Sequence, residues 1–261
     1  MAELNHYIFT TGLIITIIMG LSWGSLATMA IYRLPKNMPW IGDKPRCLMC
    51  KTPLSIIDYF SILSFFYCRG KCRHCNGQYE ENIAYFITEL AITLLLVLAY
   101  IQVGFGDLFV LFNGLVVAGV IIGIIDAQHN RIPAKPLICL LLIGAVYRTF
   151  IDGTYYGALY SAISWGIVAL FIRGLFLTAT KQKELALDFT RWQHEDRFTG
   201  IGFDYVKLAA CMGVWLGFEQ MAALIASVLA IAGIWYIIHS STVRLGAIAI
   251  TLFLPMVLLQ H

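Results

Sequence analysis

Charged side chains are scarce in this chain, making up 13% of its 261 residues, about half the share in a typical soluble domain. Long repeats and low-complexity segments are absent, as is a G-x-G-x-x-G segment after a predicted strand, the pattern typical of a dinucleotide-binding fold. Apolar residues instead make up 59% of the sequence, and the mean hydropathy is +0.78. This composition excludes an ordinary soluble domain and indicates an integral membrane protein.

Eight apolar stretches approach the roughly 20 residues that a helix needs to cross a bilayer. They lie at 8–32, 83–103, 107–126, 136–150, 155–178, 203–218, 220–238 and 243–259. The stretch at 136–150 is the weakest, so seven spans are the alternative. The sequence therefore predicts an all-α polytopic membrane protein with about eight transmembrane helices.

Lysine and arginine are concentrated in three loops, 33–82, 127–135 and 179–202. With eight spans these loops share one side of the membrane, which the positive-inside rule assigns to the cytoplasm. No lysine or arginine precedes Arg33, so the first span lacks the basic start of a cleavable signal peptide. This topology accounts for the net charge of +3, and we expect no nucleic-acid partner.

The polar segment 33–82 contains five of the seven cysteines. Two C-x2-C pairs, Cys47 with Cys50 and Cys72 with Cys75, are separated by 21 residues, which is close to the spacing of a zinc ribbon. Four thiolates complete a tetrahedral shell and leave no open position, so the pattern predicts a structural zinc site. The alternative is four reduced cysteines that pack as small apolar side chains.

Asp126 is the first candidate for chemistry. It follows eighteen residues, Leu108 to Ile125, in which only Asn113 has a polar side chain. A carboxylate at the centre of a membrane helix costs roughly 2.5–3.5 kcal/mol on insertion scales, so such a residue is a functional candidate. The alternative is an acid that is solvated at the end of its helix.

Asp204 is the second candidate, because it opens an apolar stretch on the same predicted cytoplasmic face. Gly200 and Gly202 precede it and permit a tight turn into the helix. Two acids at the ends of separate helices suggest a dyad, in which one carboxyl stays protonated while the other activates water. The alternative is that each acid lies at its own helix end, with Asp204 as an N-cap.

Four segments in order along the chain resemble the type IV prepilin peptidase family. They are G-S-L-A-T-M-A-I-Y-R-L-P at 24–35, the two C-x2-C pairs, Asp126 followed by Ile132-Pro133, and G-I-G-F-D-Y-V-K-L at 200–208, after which comes G-V-W-L-G at 213–217. In the family the second catalytic aspartate lies two residues before the lysine. Here Asp204 lies three residues before Lys207, and Tyr205 occupies the position expected for the catalytic aspartate. The resemblance therefore implies a divergent member.

The resemblance implies a membrane aspartic endopeptidase with Asp126 and Asp204 as its dyad and zinc on the four cysteines. Its substrate would be a prepilin or pseudopilin whose short basic leader is cut off at the cytoplasmic face of the bacterial inner membrane. Many members also methylate the new N-terminus with S-adenosylmethionine. The expected parts are a first helix at 1–35, a zinc-binding domain at 36–82 and a peptidase bundle at 83–261, with membrane lipid around the spans.

Two other interpretations remain open at this point. The displaced Asp204 is compatible with a non-proteolytic homologue that acts as a methyltransferase or as a scaffold for pilus assembly. A transporter or channel with a zinc-ribbon regulator would place several charges deep within the spans, whereas here the acids are predicted at one face.

Gly20 and Gly24, on the first helix, predict a close contact with a second helix through small residues.

Overall fold

A computed structural model describes residues 2–38, 82–129, 131–153, 156–179, 203–239 and 245–259, together with nine positions around the cysteines, 47, 50, 52, 53, 71, 72, 74, 75 and 77. Outside the cysteine region these residues are helical, apart from short turns. Gly200 and Gly202, and the basic loop before them, lie outside the described residues.

Seven helices are present in the described part of the chain. They are α1 (Ala2–Arg33), α2 (Asn82–Val103), α3 (Asp107–His129), α4 (Ala134–Asp152), α5 (Tyr156–Ala179), α6 (Phe203–His239) and α7 (Leu245–Leu258). Within α6, Gly217 has φ 74° and ψ −169°, values that only glycine adopts readily. It divides the helix between two of the predicted apolar stretches, 203–218 and 220–238.

Four of the described helices are long and apolar enough to cross a membrane, at His6–Arg33, Tyr85–Val103, Asp107–His129 and Tyr156–Arg173. Two shorter apolar segments lie at Glu219–Ala232 and Leu245–Leu258. The predicted all-helical membrane class is thus confirmed, and each predicted apolar stretch coincides with a helical segment. The number of eight crossings stays a prediction.

The chain divides into two compact units, and the first comprises Met1–Ile121. In it α1 packs along α2, and two glycines set the separation of these helices. A Cβ atom on Gly20 would lie 2.7 Å from the Cα of Thr93, and one on Gly24 would lie 2.7 Å from the Cα of Glu89. The predicted small-residue contact on the first helix is confirmed.

The second unit comprises Ile122–His261, and α6 is its central helix because it packs against α4, α5 and α7. Trp215 on α6 is fully buried. Its indole N–H donates to the backbone oxygen of Leu140 at 3.0 Å, and its ring stacks on Tyr147 with 4.7 Å between centroids. These contacts fix α6 against α4. They thereby help to position the first turn of α6, which supplies residues of the candidate site.

Candidate active site and metal centre

Asp126 lies near the end of α3 and is fully buried. The hydroxyl of Tyr205, on the first turn of α6, donates to its Oδ1 at 3.0 Å. The backbone N–H of Ala247, on the first turn of α7, donates to its Oδ2 at 2.8 Å. The first N–H groups of a helix have no partner within the helix and carry its positive dipole end, so the start of α7 suits a carboxylate.

Gly246 allows α7 to approach this carboxylate. A Cβ atom at this position would lie 2.8 Å from Oδ2 of Asp126 and 3.0 Å from Cε1 of Tyr205. Both separations are shorter than ordinary contacts between these atoms. A residue with a side chain would therefore push α7 away and separate the Ala247 N–H from Asp126.

Asp204 neighbours Tyr205 on the first turn of α6, and its carboxylate has another partner. Its Oδ1 accepts from Nζ of Lys207 at 2.9 Å, and its side chain is 43% exposed. Successive helical residues point about 100° apart, so the two side chains project differently. Of these two neighbours, Tyr205 is the one that contacts Asp126, through its hydroxyl. The pairing of Asp126 with Asp204 stays a prediction.

A cavity of about 120 Å³ lies between α5, α6 and α7 and reaches Tyr205. Tyr205 and Gly246 line it together with apolar residues that include Met212, Leu224 and Val228. The volume is several times that of a water molecule. The cavity therefore has room for an apolar side chain next to Tyr205.

The four predicted ligands Cys47, Cys50, Cys72 and Cys75 come together, with all of their sulfurs within 4.8 Å of one another. The Sγ atoms of Cys47 and Cys75 are 3.9 Å apart, and those of Cys50 and Cys72 are 3.8 Å apart. Four sulfurs placed tetrahedrally at about 2.3 Å from one zinc ion are about 3.8 Å apart. The cluster therefore fits a zinc ion. Cys68, the fifth cysteine of the segment 33–82, lies outside the described residues.

The two halves of the cluster have the same local turn. The N–H of Cys47 donates to the oxygen of Thr52, and the N–H of Cys72 donates to the oxygen of Gly77, both at 2.9 Å. In each case the first cysteine of a pair bonds to the carbonyl five residues later. This repetition explains how two short C-x2-C segments present their sulfurs to a common centre.

Hydrogen bonds prepare individual thiols in the cluster for metal binding. Hydrogen bonds, of which the one with the backbone of Cys75 has the largest effect, lower the pKa of Cys72 to about 6 against the opposing effect of burial. The hydroxyl of Thr52 lowers the pKa of Cys50. For Cys75 the backbone of Gly77 also lowers the pKa, but burial and the other three cysteines outweigh it and raise the pKa to about 11. A cation is needed to hold all four as thiolates.

These observations define a membrane protein with an all-helical fold, a buried carboxylate held by two donors and a four-cysteine cluster that could hold a metal ion. Two protein-family models match most of the chain. Residues 18–103 match the Bacterial Peptidase A24 N-terminal domain, and residues 113–238 match the Type IV leader peptidase family. The chain belongs to the type IV leader peptidase family.

Several curated proteins described as "Prepilin leader peptidase/N-methyltransferase" are similar to this chain. The protein from Neisseria gonorrhoeae is 27% identical over 234 residues, which cover 80% of this chain and 75% of the relative. The one from Bacillus subtilis is 27% identical over 217 residues with the same coverage. The one from Pseudomonas aeruginosa is 25% identical over 237 residues, 78% of this chain and 72% of the relative. No solved structure matches the chain.

The sequence interpretation missed the partners of Asp126. In the sequence Tyr205 stands out only as a departure from the family motif, at the position two residues before Lys207. The sequence interpretation did not single out Gly246 or the N–H of Ala247. A glycine at the start of an apolar stretch was the available signal for the close approach of α7, but it does not identify the partner helix.

Proposed function

We propose that this protein is a membrane aspartic endopeptidase that removes the short basic leader of type IV prepilins or pseudopilins. The observation that carries the proposal is Asp126, a fully buried carboxylate at the end of an apolar helix, with a donor on each oxygen. Membership of the type IV leader peptidase family and the descriptions of the relatives supply the substrate class.

Asp126 is the proposed base of the reaction. The Tyr205 hydroxyl and the Ala247 N–H, which donate to its two oxygens, match an ionised carboxylate, because that form only accepts hydrogen bonds. It would take a proton from the water molecule that attacks the scissile carbonyl and then pass the proton to the leaving amine. The resemblance to the family suggests Asp204 as the second acid, although Tyr205 holds the motif position. For Asp204 to take part, its carboxylate must leave Lys207, and this assignment stays a prediction.

The proposed place of cleavage is the cytoplasmic face of the bacterial inner membrane. The loops rich in lysine and arginine support this orientation, and Asp126 belongs to the α3 terminus that leads into one of them. A prepilin with a basic leader would keep its leader in the cytoplasm for the same electrostatic reason. The cut would then fall at the junction of the leader and the hydrophobic helix.

The four cysteines are proposed to hold one structural zinc ion in a domain at about 36–82. A bound zinc would cross-link the two C-x2-C turns and leave no position for a substrate or a reactive water. The three-part division of the chain at 35 and 82 is part of the same proposal. Contacts with membrane lipid around the apolar helices follow from the composition.

Methylation of the new N-terminus with S-adenosylmethionine is the second activity that we propose. The descriptions of the relatives support it because they include N-methyltransferase. A second candidate function is a non-proteolytic methyltransferase or assembly scaffold. The Tyr205 hydroxyl beside Asp126 favours this alternative, since in the family motif an aspartate holds that position.

Cleavage of a prepilin in membranes tests the proposal. A prepilin from the same genome is co-expressed with the parent chain or with Asp126→Asn, and leader removal is followed by the change in mass. Removal by the parent and none by the variant supports a peptidase that depends on Asp126. An uncleaved prepilin in the presence of inserted, zinc-loaded parent would leave the methyltransferase or scaffold.

A further inference from the structure

We propose that Tyr205 supplies the second acid of the reaction, as the proton-bearing partner of Asp126. This inference rests on the proposed peptidase function and changes the identity of one residue in it. In a site with two aspartates, a neutral carboxyl lies beside an ionised one. Here a phenol hydroxyl has that position, at 3.0 Å from Oδ1 of Asp126.

The contacts of the two neighbouring residues separate their roles. Tyr205 is half-buried and directs its hydroxyl to the carboxylate of Asp126. Asp204 is 43% exposed and is bound to Lys207 one turn along the same helix. A change of partner by Asp204 would require the first turn of α6 to rotate, whereas Tyr205 already makes the contact.

The protonation states that hydrolysis requires favour a phenol beside Asp126. Two adjacent carboxylates cannot both be charged, so a two-aspartate site depends on mutual repulsion to keep one proton. An ordinary phenol titrates near pH 10 and keeps its proton at neutral pH without such repulsion. The pair formed by Asp126 and Tyr205 therefore has one ionised carboxylate and one O–H donor, which is what water activation and carbonyl polarisation require.

The hydrolysis balances with these two groups and one water molecule. Asp126 takes a proton from the water as its oxygen bonds to the carbonyl carbon. Tyr205 donates a hydrogen bond to the carbonyl oxygen, on which negative charge develops. The C–N bond then breaks, the proton on Asp126 passes to the leaving amine, and Tyr205 ends with the proton with which it began.

The surroundings leave the Tyr205 side chain space to turn towards a substrate. Tyr205 lines the 120 Å³ cavity between α5, α6 and α7. Helices α5 and α7 contribute apolar residues to the cavity wall. The titratable groups near Tyr205 include Asp126 on α3 and Asp204 and Lys207 on its own helix. An apolar residue of the substrate seated in the cavity would bring its carbonyl near the hydroxyl.

The test compares Tyr205→Phe, Tyr205→Asp and Asp204→Asn with the parent, in membranes that contain a prepilin from the same genome. Tyr205→Phe removes the hydroxyl alone and is expected to lower kcat by about 10²–10³-fold, the usual effect of losing one oxyanion donor, with KM little changed. Tyr160→Phe is the matched control, because Tyr160 is exposed on α5. Its kcat should equal that of the parent.

The pH profile distinguishes a reacting phenol from a structural one. The parent should stay active until the phenol titrates, so its alkaline limb should lie well above neutral pH. Tyr205→Asp restores a group that can carry a proton and should cleave, but with its alkaline limb moved to lower pH. A tyrosine that only stabilised the fold would leave this limb unmoved.

The inference is overturned if Tyr205→Phe cleaves at the parental rate while Asp204→Asn does not, and the proposed peptidase function would survive that result. If the parent fails to cleave and Tyr205→Asp alone succeeds, both proposals fall for this chain. Zinc content and thermal unfolding in detergent establish that each variant is folded.

Discussion

The hydroxyl of Tyr205 donates a hydrogen bond to Asp126 across 79 positions of the chain. The bond joins the end of α3 to the start of α6, and the first turn of α7 closes the other side of the same carboxylate through Ala247. The start of α7 and the tyrosine together satisfy a charge that an apolar environment would otherwise make very costly. The site is therefore defined by three helix ends.

Gly246→Ala should damage this site without altering any group that reacts. The new methyl would meet Oδ2 of Asp126 at 2.8 Å, so α7 must shift, and misplacement by about 1 Å can cost a reaction roughly 10²-fold. We expect kcat for leader removal to fall by about 10–10²-fold. Gly166→Ala is the control, because the nearest atom to its methyl is 3.7 Å away. Equal rates for the two variants would contradict the close packing of α7 on Asp126.

Cys72→Ser should remove zinc from the purified protein. Cys72 is buried and belongs to the four-sulfur cluster, and loss of one ligand from a closed tetrahedral site weakens it strongly. Metal analysis should find about one zinc per chain in the parent and much less in the variant. Cys139→Ser, which changes an exposed cysteine outside the cluster, should keep the metal. A full zinc content in Cys72→Ser would contradict the four-cysteine centre.

Gly20→Ala should destabilise the first unit, because its methyl would lie 2.7 Å from the backbone of Thr93. Overpacking of this kind typically costs about 1–3 kcal/mol. Thermal unfolding in detergent should show a lower midpoint for Gly20→Ala than for the parent. Gly166→Ala serves again as the control and should match the parent. An unchanged midpoint for Gly20→Ala would show that α1 and α2 do not pack through this glycine.

Much of the fold follows from the sequence because it depends on local composition. Long apolar stretches dictate membrane helices, and the predicted limits lie within a few residues of those of α2 and α3. The cysteine cluster was also predictable, since ligand type and spacing within each C-x2-C pair restrict the possible geometry. The break at Gly217 appeared as the short gap between two predicted stretches.

The arrangement around Asp126 was not predictable in the same way, because it depends on packing between distant helices. The orientation of the first turn of α6 decides whether Asp204 or Tyr205 faces Asp126, and one residue changes that direction by about 100°. Residue spacing along the chain supplies no rule for this orientation. The approach of α7 through Gly246 likewise depends on tertiary contacts, which residue spacing does not encode.

The rate of leader removal by Asp126→Asn is the decisive measurement for the role of Asp126 as the base of a prepilin peptidase. The measurement is made in membranes with equal amounts of inserted parent and variant, and Asp107→Asn, an exposed acid at the start of the same helix, is the control. We expect a loss of roughly 10⁴-fold for Asp126→Asn and parental cleavage for Asp107→Asn. Normal cleavage by Asp126→Asn would show that Asp126 is not the base.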